Sequence, residues 1–207
     1  MSSTDAPTRE VARRIFAAEF NDATHTFKES DDERAPAYQL LPTGGKANRV
    51  FFVGTLTEKE DIGEDNEYWR GRIVGPSGTF FVYAGQYQPE AASALRELEP
   101  PAYVAVVGKP RTYETDDGSV NVSVRPESIT VVDAATRDRW VVEAADRTVE
   151  RVAAFDDDGN EYARMAEDRY DFDPEQYREV AVSALQSMDE GEGSADAESD
   201  EQAEPTP

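Results

Sequence analysis

RVFFVGTLTE (Arg49–Glu58), YWRGRIVG (Tyr68–Gly75) and TFFVYAG (Thr79–Gly85) are three β-patterned runs in close succession. The helical PEAASALREL (Pro89–Leu98) follows, and then two longer runs, AYVAVVGKPRTYE (Ala102–Glu114) and SVNVSVRPESITVV (Ser119–Val132). Each run is rich in β-branched and aromatic residues. Gly-Pro-Ser-Gly at 75–78 and Thr-Asp-Asp-Gly at 115–118 are hairpin turn signals, and the acidic stretch 58–67 reads as a loop.

In the first strand Val50, Phe52, Gly54 and Leu56 alternate against Arg49, Phe51, Val53 and Thr55. Both sets are largely apolar, so this strand is expected to be covered on two sides. Gly54 in its middle suits a sharp bend or bulge. Val104, Val106 and Val107 mark the fourth strand as central, and Val120, Val122 and Val124 alternate with Asn121, Ser123 and Arg125 in the fifth. Five short strands with a helix between the third and fourth match the OB-fold, a small Greek-key barrel. The fold class expected is therefore mainly β with flanking helices: a five-stranded OB-fold barrel with an N-terminal helix and a C-terminal helical region. The chain divides into an N-terminal helix and loop (1–47), the OB-fold domain (48–133), a C-terminal helical region (134–188) and a disordered acidic tail (189–207).

Residues 1–7 look disordered, and Thr8–Phe20 reads as a short helix with Val11, Ile15 and Ala18 on one face, packed on its own domain or docking a partner. Residues 21–46 are polar and loop-like, although Tyr38, Leu40 and Leu41 could form a short strand. PTGGK at 42–46 fails as a phosphate loop, because Leu40 stands where the first glycine is needed and Ala47 follows Lys46. Past Asp133 the period lengthens to that of a helix. Val141, Ala145, Thr148, Val152 and Phe155 form one apolar stripe, which either packs on the barrel or joins a partner helix. Asp156-Asp157-Asp158-Gly159 ends that helix; Ala154 and Met165 occupy positions where a calcium loop needs acids. Asp173-Pro174-Glu175 starts another helix, with Tyr177, Val180, Ala181, Ala184, Leu185 and Met188 on its apolar face.

A net charge of −23 over 207 residues, with acids spread along the chain and lysine scarce, points to a surface adapted to high salt rather than a local acidic mimic. The absence of cysteine excludes disulfides and thiolate metal sites. The N-terminus carries no signal-peptide pattern and no apolar run reaches 18 residues, so a soluble, cytoplasmic protein with no membrane partner is expected. His25, the single histidine, lies in a polar loop, and no nucleophile–base motif or metal-ligand cluster is present. A binding protein without a cofactor is expected, not an enzyme.

VFFVGTLTE (50–58), GRIVGPSGTFFVYAGQYQPEA (71–91), YVAVVGKP (103–110) and VSVRPESITVVD (122–133) together resemble the replication-protein-A-associated family of haloarchaea, OB-fold companions of the archaeal single-stranded-DNA-binding protein. The resemblance runs from about Thr8 to Met188. It implies a role in replication and repair through a complex with a replication protein A subunit. Two functions follow: a subunit that binds single-stranded DNA, or an adaptor that assembles the complex through protein contacts alone.

OB-folds bind single strands in a groove across their second and third strands, with aromatic faces for bases and cations for phosphates. If Trp69, Gly71 and Ile73 face the core, Tyr68, Arg70 and Arg72 share the outer face, and if Phe80, Val82 and Ala84 point inward, Phe81 and Tyr83 point out. The opposite register would bury Phe81 and Tyr83. Tyr87, Lys109, Arg111 and Arg125 complete the DNA-contacting candidates, although Arg125 could instead pair with a nearby acid. Phosphate contacts weaken steeply as salt rises, whereas stacking is less salt-sensitive and should carry more of the binding.

The charge itself generates an expectation. Molar salt shortens the Debye length to about 3 Å and screens self-repulsion that dilute buffer would leave intact. Dialysis into low salt should partly unfold the protein, seen as a lowered thermal transition; an unchanged transition would exclude a salt-adapted surface.

Overall fold

The computed structural model describes residues 10–200. It begins with β1 (Arg13–Arg14), α1 (Ala17–Asp22) and three short strands, β2 (Thr26–Lys28), β3 (Ala37–Leu41) and β4 (Gly45–Ala47). The barrel strands follow: β5 (Val50–Asp61), β6 (Trp69–Gly75) and β7 (Gly78–Ala84), then α2 (Pro89–Glu97), β8 (Ala102–Glu114) and β9 (Val120–Val131). Three helices complete the chain, α3 (Ala134–Ala153), α4 (Glu161–Arg169) and α5 (Glu175–Asp200). No described helix is long and apolar enough to cross a membrane.

Strands pair in the order β5-β6-β7-β9-β8, and β8 returns to β5, which closes the barrel. All contacts are antiparallel except β7 with β9, registered at Val82 and Val124. With α2 between β7 and β8, this is the OB-fold. The strand boundaries agree with the sequence patterns to within a few residues. β8 has two partners, as expected for a central strand.

The closure depends on β5. Its first half pairs with β8 from Val50 to Leu56, and its second half pairs with β6 from Thr55 to Asp61. Gly54 lies at the crossover, where an added Cβ would sit 2.7 Å from the Val74 carbonyl oxygen. Its role is close approach rather than a bulge; the register shift comes later, between Leu56 and Glu58. A second shift precedes Gly108, whose Cβ would fall 2.5 Å from the Arg125 carbonyl. Inside the barrel Phe52 stacks on Phe80, with ring centroids 3.8 Å apart, and both are fully buried. Burial of each contributes about 1.5–3 kcal/mol.

Outside the barrel, Phe51 and Val53 are covered by the C-terminal helices, as the double-sided apolar pattern of this strand implies. Trp140 on α3 donates from Nε1 to the Phe51 carbonyl at 3.3 Å. Val141, Ala145, Thr148 and Val152 are each 5% exposed or less, packed within the fold with Phe155 at the partly covered end. The stripe considered for a partner helix is therefore taken up by this chain's own barrel and by α5, and it presents no free face.

The N-terminal expectations need correction. Instead of one helix over Thr8–Phe20, Arg13 and Arg14 are extended and pair in parallel with Val50 and Phe51, while Val11 is 82% exposed. On this side β6 meets β5 only from Thr55 onward, so the Val50–Phe51 backbone needs another partner, and β1 supplies it. Residues 21–46 are not a loop but carry an antiparallel sheet, β2-β3-β4, with Tyr38, Leu40 and Leu41 buried. At the other end α5 continues to Asp200, further than the tail boundary expected at 189. A packed first half nucleates the helix, and extension then needs little added stability. The expected disorder at 1–7 and at 201–207 lies outside the described residues.

One buried ion pair ties the ends of the chain together. Glu19 on α1 is 1% exposed and accepts from Arg151 on α3 at 2.6 Å. Thr43 donates to the same carboxylate and accepts from Arg151 Nε at 3.0 Å. Removing one partner of such a pair leaves a buried charge without compensation. R151M should therefore cost about 3–5 kcal/mol of stability, and E19Q/R151M should recover part of that loss; chemical denaturation of both variants measures it.

Candidate nucleic-acid interface

Strands β6 and β7 set the register that decides the outer face. Gly71 and Ile73 are buried, Trp69 is half-buried against the core, and Phe80, Val82 and Ala84 are fully buried. The alternate residues, Arg70, Arg72, Phe81 and Tyr83, therefore point outward together, with Arg70 opposite Tyr83 and Arg72 opposite Phe81.

The largest cavity beside this face has a volume of about 610 Å³ and lies where β7 meets the β8–β9 hairpin. Its walls come from four places. Asn66, Glu67 and Tyr68 belong to the loop between β5 and β6, and Tyr83 to β7; Gly85, Gln86, Tyr87 and Gln88 form the turn into α2. Arg111, Thr112 and Tyr113 on β8 face Ser123, Val124 and Arg125 on β9. Tyr68 and Tyr83 stack with centroids 6.0 Å apart and planes 27° from parallel. Tyr87 is 83% exposed, and Tyr68 and Tyr113 are also exposed. The cleft thus presents four phenol rings.

Local chemistry holds these rings in place. Asp61 accepts from the backbone N–H of Gly63 and of Tyr68, each at 3.0 Å, which fixes the loop leading into the cleft. The Tyr68 ring lies against Gly85, where a Cβ would come within 2.9 Å of it. Hydrogen bonds from Thr115 and then Ser119 hold Asp117 down to about 2, so the tip of the β8–β9 hairpin stays ordered around an ionised carboxylate. Burial, reinforced by Tyr113, pushes the Tyr83 phenol above its ordinary value, so it remains neutral.

The cations fall into two groups. Arg111 and Arg125 line the cleft, and among the described residues neither has an ion-pair partner. Burial and then the like charge of Arg125 pull the Arg111 guanidinium below its ordinary value, yet it stays a cation at neutral pH. Lys109, opposite Arg125, borders an adjoining hollow of about 450 Å³ that shares Tyr87 and Arg125 with the cleft. Arg70 and Arg72, by contrast, are held by acids. Arg70 donates to Glu60 at 2.7 Å and Arg72 to Glu58 at 3.3 Å, in a groove of about 270 Å³ that also contains Phe81. Exposed pairs of this kind contribute at most about 1 kcal/mol each.

Of the residues read from sequence, Tyr68, Tyr83, Tyr87, Arg111 and Arg125 meet in the cleft. Phe81, Arg70 and Arg72 lie in the neighbouring groove, and Lys109 in the adjoining hollow. Tyr113 was not among the candidates, although a strand period of two places it on the face of Lys109 and Arg111. Ser123, 6% exposed and lining the cleft, shares the alternating set of Arg125 but was not named either.

No protein-family model matches the chain, and no curated protein matches it by sequence. Solved structures do. The second single-stranded-DNA-binding protein of Mycobacterium smegmatis is similar at 21% identity, over 43% of this chain and 89% of that one, with a TM-score of 0.36. The mitochondrial single-stranded-DNA-binding protein of S. cerevisiae gives 21% identity over 42% of this chain and 94% of that one, TM-score 0.33. An OBody bound to hen egg-white lysozyme gives 14% identity over 61% and 99%, TM-score 0.37.

The Asp61 clamp gives this cleft a pH dependence. Hydrogen bonds from the Tyr68 and Gly63 backbone hold its carboxyl below the ordinary 3.8. Its contribution is complete above 3.8 and is lost as pH falls through the lowered value. D61N should remove that acid dependence and speed hydrogen exchange at the Gly63 and Tyr68 amides, with the barrel amides unchanged; unaltered exchange at those two amides would show that Asp61 does not order the loop.

Proposed function

We propose that this chain binds single-stranded DNA through the tyrosine cleft, as a non-enzymatic subunit of a replication-protein-A-like complex in replication and repair. The observation that carries this reading is the meeting of Tyr68, Tyr83, Tyr87 and Tyr113 with Arg111 and Arg125 at one mouth of an OB barrel. Ligands of this fold lie across its second and third strands and between the first–second and fourth–fifth loops. The cleft takes walls from the loop between the first and second barrel strands, from the third strand, and from the fourth and fifth strands. Phenol faces accept any base by stacking, and the two arginines, without acid partners among the described residues, supply positive charge for the backbone. The haloarchaeal family resembled by the sequence belongs to the same reading.

A net charge of −23 opposes a polyanion at long range. Molar salt screens that repulsion within a few ångströms and leaves stacking almost untouched. Binding in such a medium therefore rests on the tyrosines first and on the arginines second.

The test is fluorescence anisotropy of a labelled oligothymidine in molar KCl, with the protein alone and with its replication protein A partner. Each stacked base is worth about 1–3 kcal/mol, so Y68A/Y83A should weaken binding by at least about tenfold. R111Q/R125Q should weaken it less in molar salt and more in dilute salt. If the protein alone does not bind, and neither variant changes the affinity of the complex, the DNA reading is wrong and the chain acts as an assembling adaptor. Thermal transitions of both variants, expected to match the parent, exclude misfolding as the cause.

A further inference from the structure

Arg70 and Arg72 face the strand that crosses beside them in an unusual register. Leu56 pairs with Ile73, and regular continuation would set Thr57 opposite Arg72 and Lys59 opposite Arg70. The register shift after Leu56 moves the pairing by one residue, so that Glu58 meets Arg72 and Glu60 meets Arg70. A cation-on-cation contact is thereby replaced by two carboxylate pairs. Lys59 turns away, with Nζ 5.7 Å from the Trp69 ring and 3.7 Å from a Glu99 oxygen.

The two pairs are open to exchange. The Arg70 and Glu60 side chains are 42% and 59% exposed, and those of Arg72 and Glu58 are 40% and 67% exposed. The buried Arg151–Glu19 pair, at 13% and 1%, is a structural contact of another kind. Phe81, opposite Arg72, is exposed in the same groove.

Building on the DNA reading above, we propose that Glu58 and Glu60 are affinity-setting residues: internal counterions that hold Arg70 and Arg72 until phosphates of a bound strand replace them. A cation that meets a phosphate directly releases a condensed counterion, and this release makes affinity fall with salt. An arginine handed from carboxylate to phosphate also releases one ion from the strand. The abandoned carboxylate, however, gains ion atmosphere from solution. The two terms oppose each other, so these contacts add positive charge and guanidinium geometry to the site with less salt dependence than an unpaired cation would. Arg111 and Arg125, which have no acid partner among the described residues, keep the ordinary dependence.

The experiment measures oligothymidine affinity against KCl concentration for the full-length protein, alone and with its partner. E58Q/E60Q should bind more tightly than the parent in dilute salt and converge with it in molar salt. Its slope of log affinity on log salt should be steeper by up to about 1.4, the sum of two single-strand contacts of about 0.7 each. R70Q/R72Q added to E58Q/E60Q should return the slope to the parent value. D156N/D157N, which removes the same charge far from the groove, should leave it there. A parental slope in E58Q/E60Q, or equal steepening in D156N/D157N, overturns the proposal. If the parent binds and Y68A/Y83A weakens it while E58Q/E60Q keeps the parental slope, only the counterion role falls. If neither the parent nor E58Q/E60Q binds in any form, both readings fall.

Discussion

In a closed barrel β5 must hydrogen-bond to β8 along its first half and to β6, on its other edge, along its second half, and the change of partner falls at Gly54. The backbone of Val74 comes so close there that a side chain would collide with its carbonyl. The neighbouring features follow from this crossing. The first half of β5, freed from β6, takes β1 as its outer partner and turns Phe51 and Val53 toward the C-terminal helices. The second half, carried past the barrel rim, gains its extra residue and presents Glu58 and Glu60 to β6.

The outer face that results has its charge organised in two ways. On the β5 side of the sheet, Arg70 and Arg72 are each matched by an acid one strand away. On the hairpin side, Arg111 and Arg125 stand among tyrosines without acid partners among the described residues. An acidic protein in strong salt gains little from unpaired charge spread over its surface, because screening removes its reach. Charge kept beside aromatic faces still acts at contact distance, where screening is weak. The division between paired and unpaired arginines thus separates the part of the face that needs an exchange partner from the part that does not.

Much of the barrel was legible because each of its strands is a run of seven or more residues rich in β-branched and aromatic side chains, set off by turn signals or a helix. The outward direction of Arg70, Arg72, Phe81 and Tyr83 followed from the alternation along β6 and β7. What failed was local or long-range. Val11, Ile15 and Ala18 have helical spacing, yet a two-residue pairing with β5 outweighs it, a contact visible only in three dimensions. The β2-β3-β4 sheet has strands of three to five residues, too short to establish a period. The arginine–glutamate pairs depend on a register shift that leaves no mark in the sequence around Thr57. Tyr113 was within reach of the pattern, and only its place just before a turn hid it.

The salt bridge between Glu19 and Arg151 joins residues 132 positions apart, and the helix bearing Arg151 also shields the outer side of β5. The pair thus links the segment before residue 47 to the helical region after residue 133. On a ribosome, the barrel would be fully synthesised while its first strand still showed Phe51 and Val53 to solvent and Glu19 had no counter-charge. Completion waits for the chain beyond residue 151. Until then the nascent protein carries a sticky flank and an unpaired acid, so the helical region after residue 133 decides when the barrel's flank is covered.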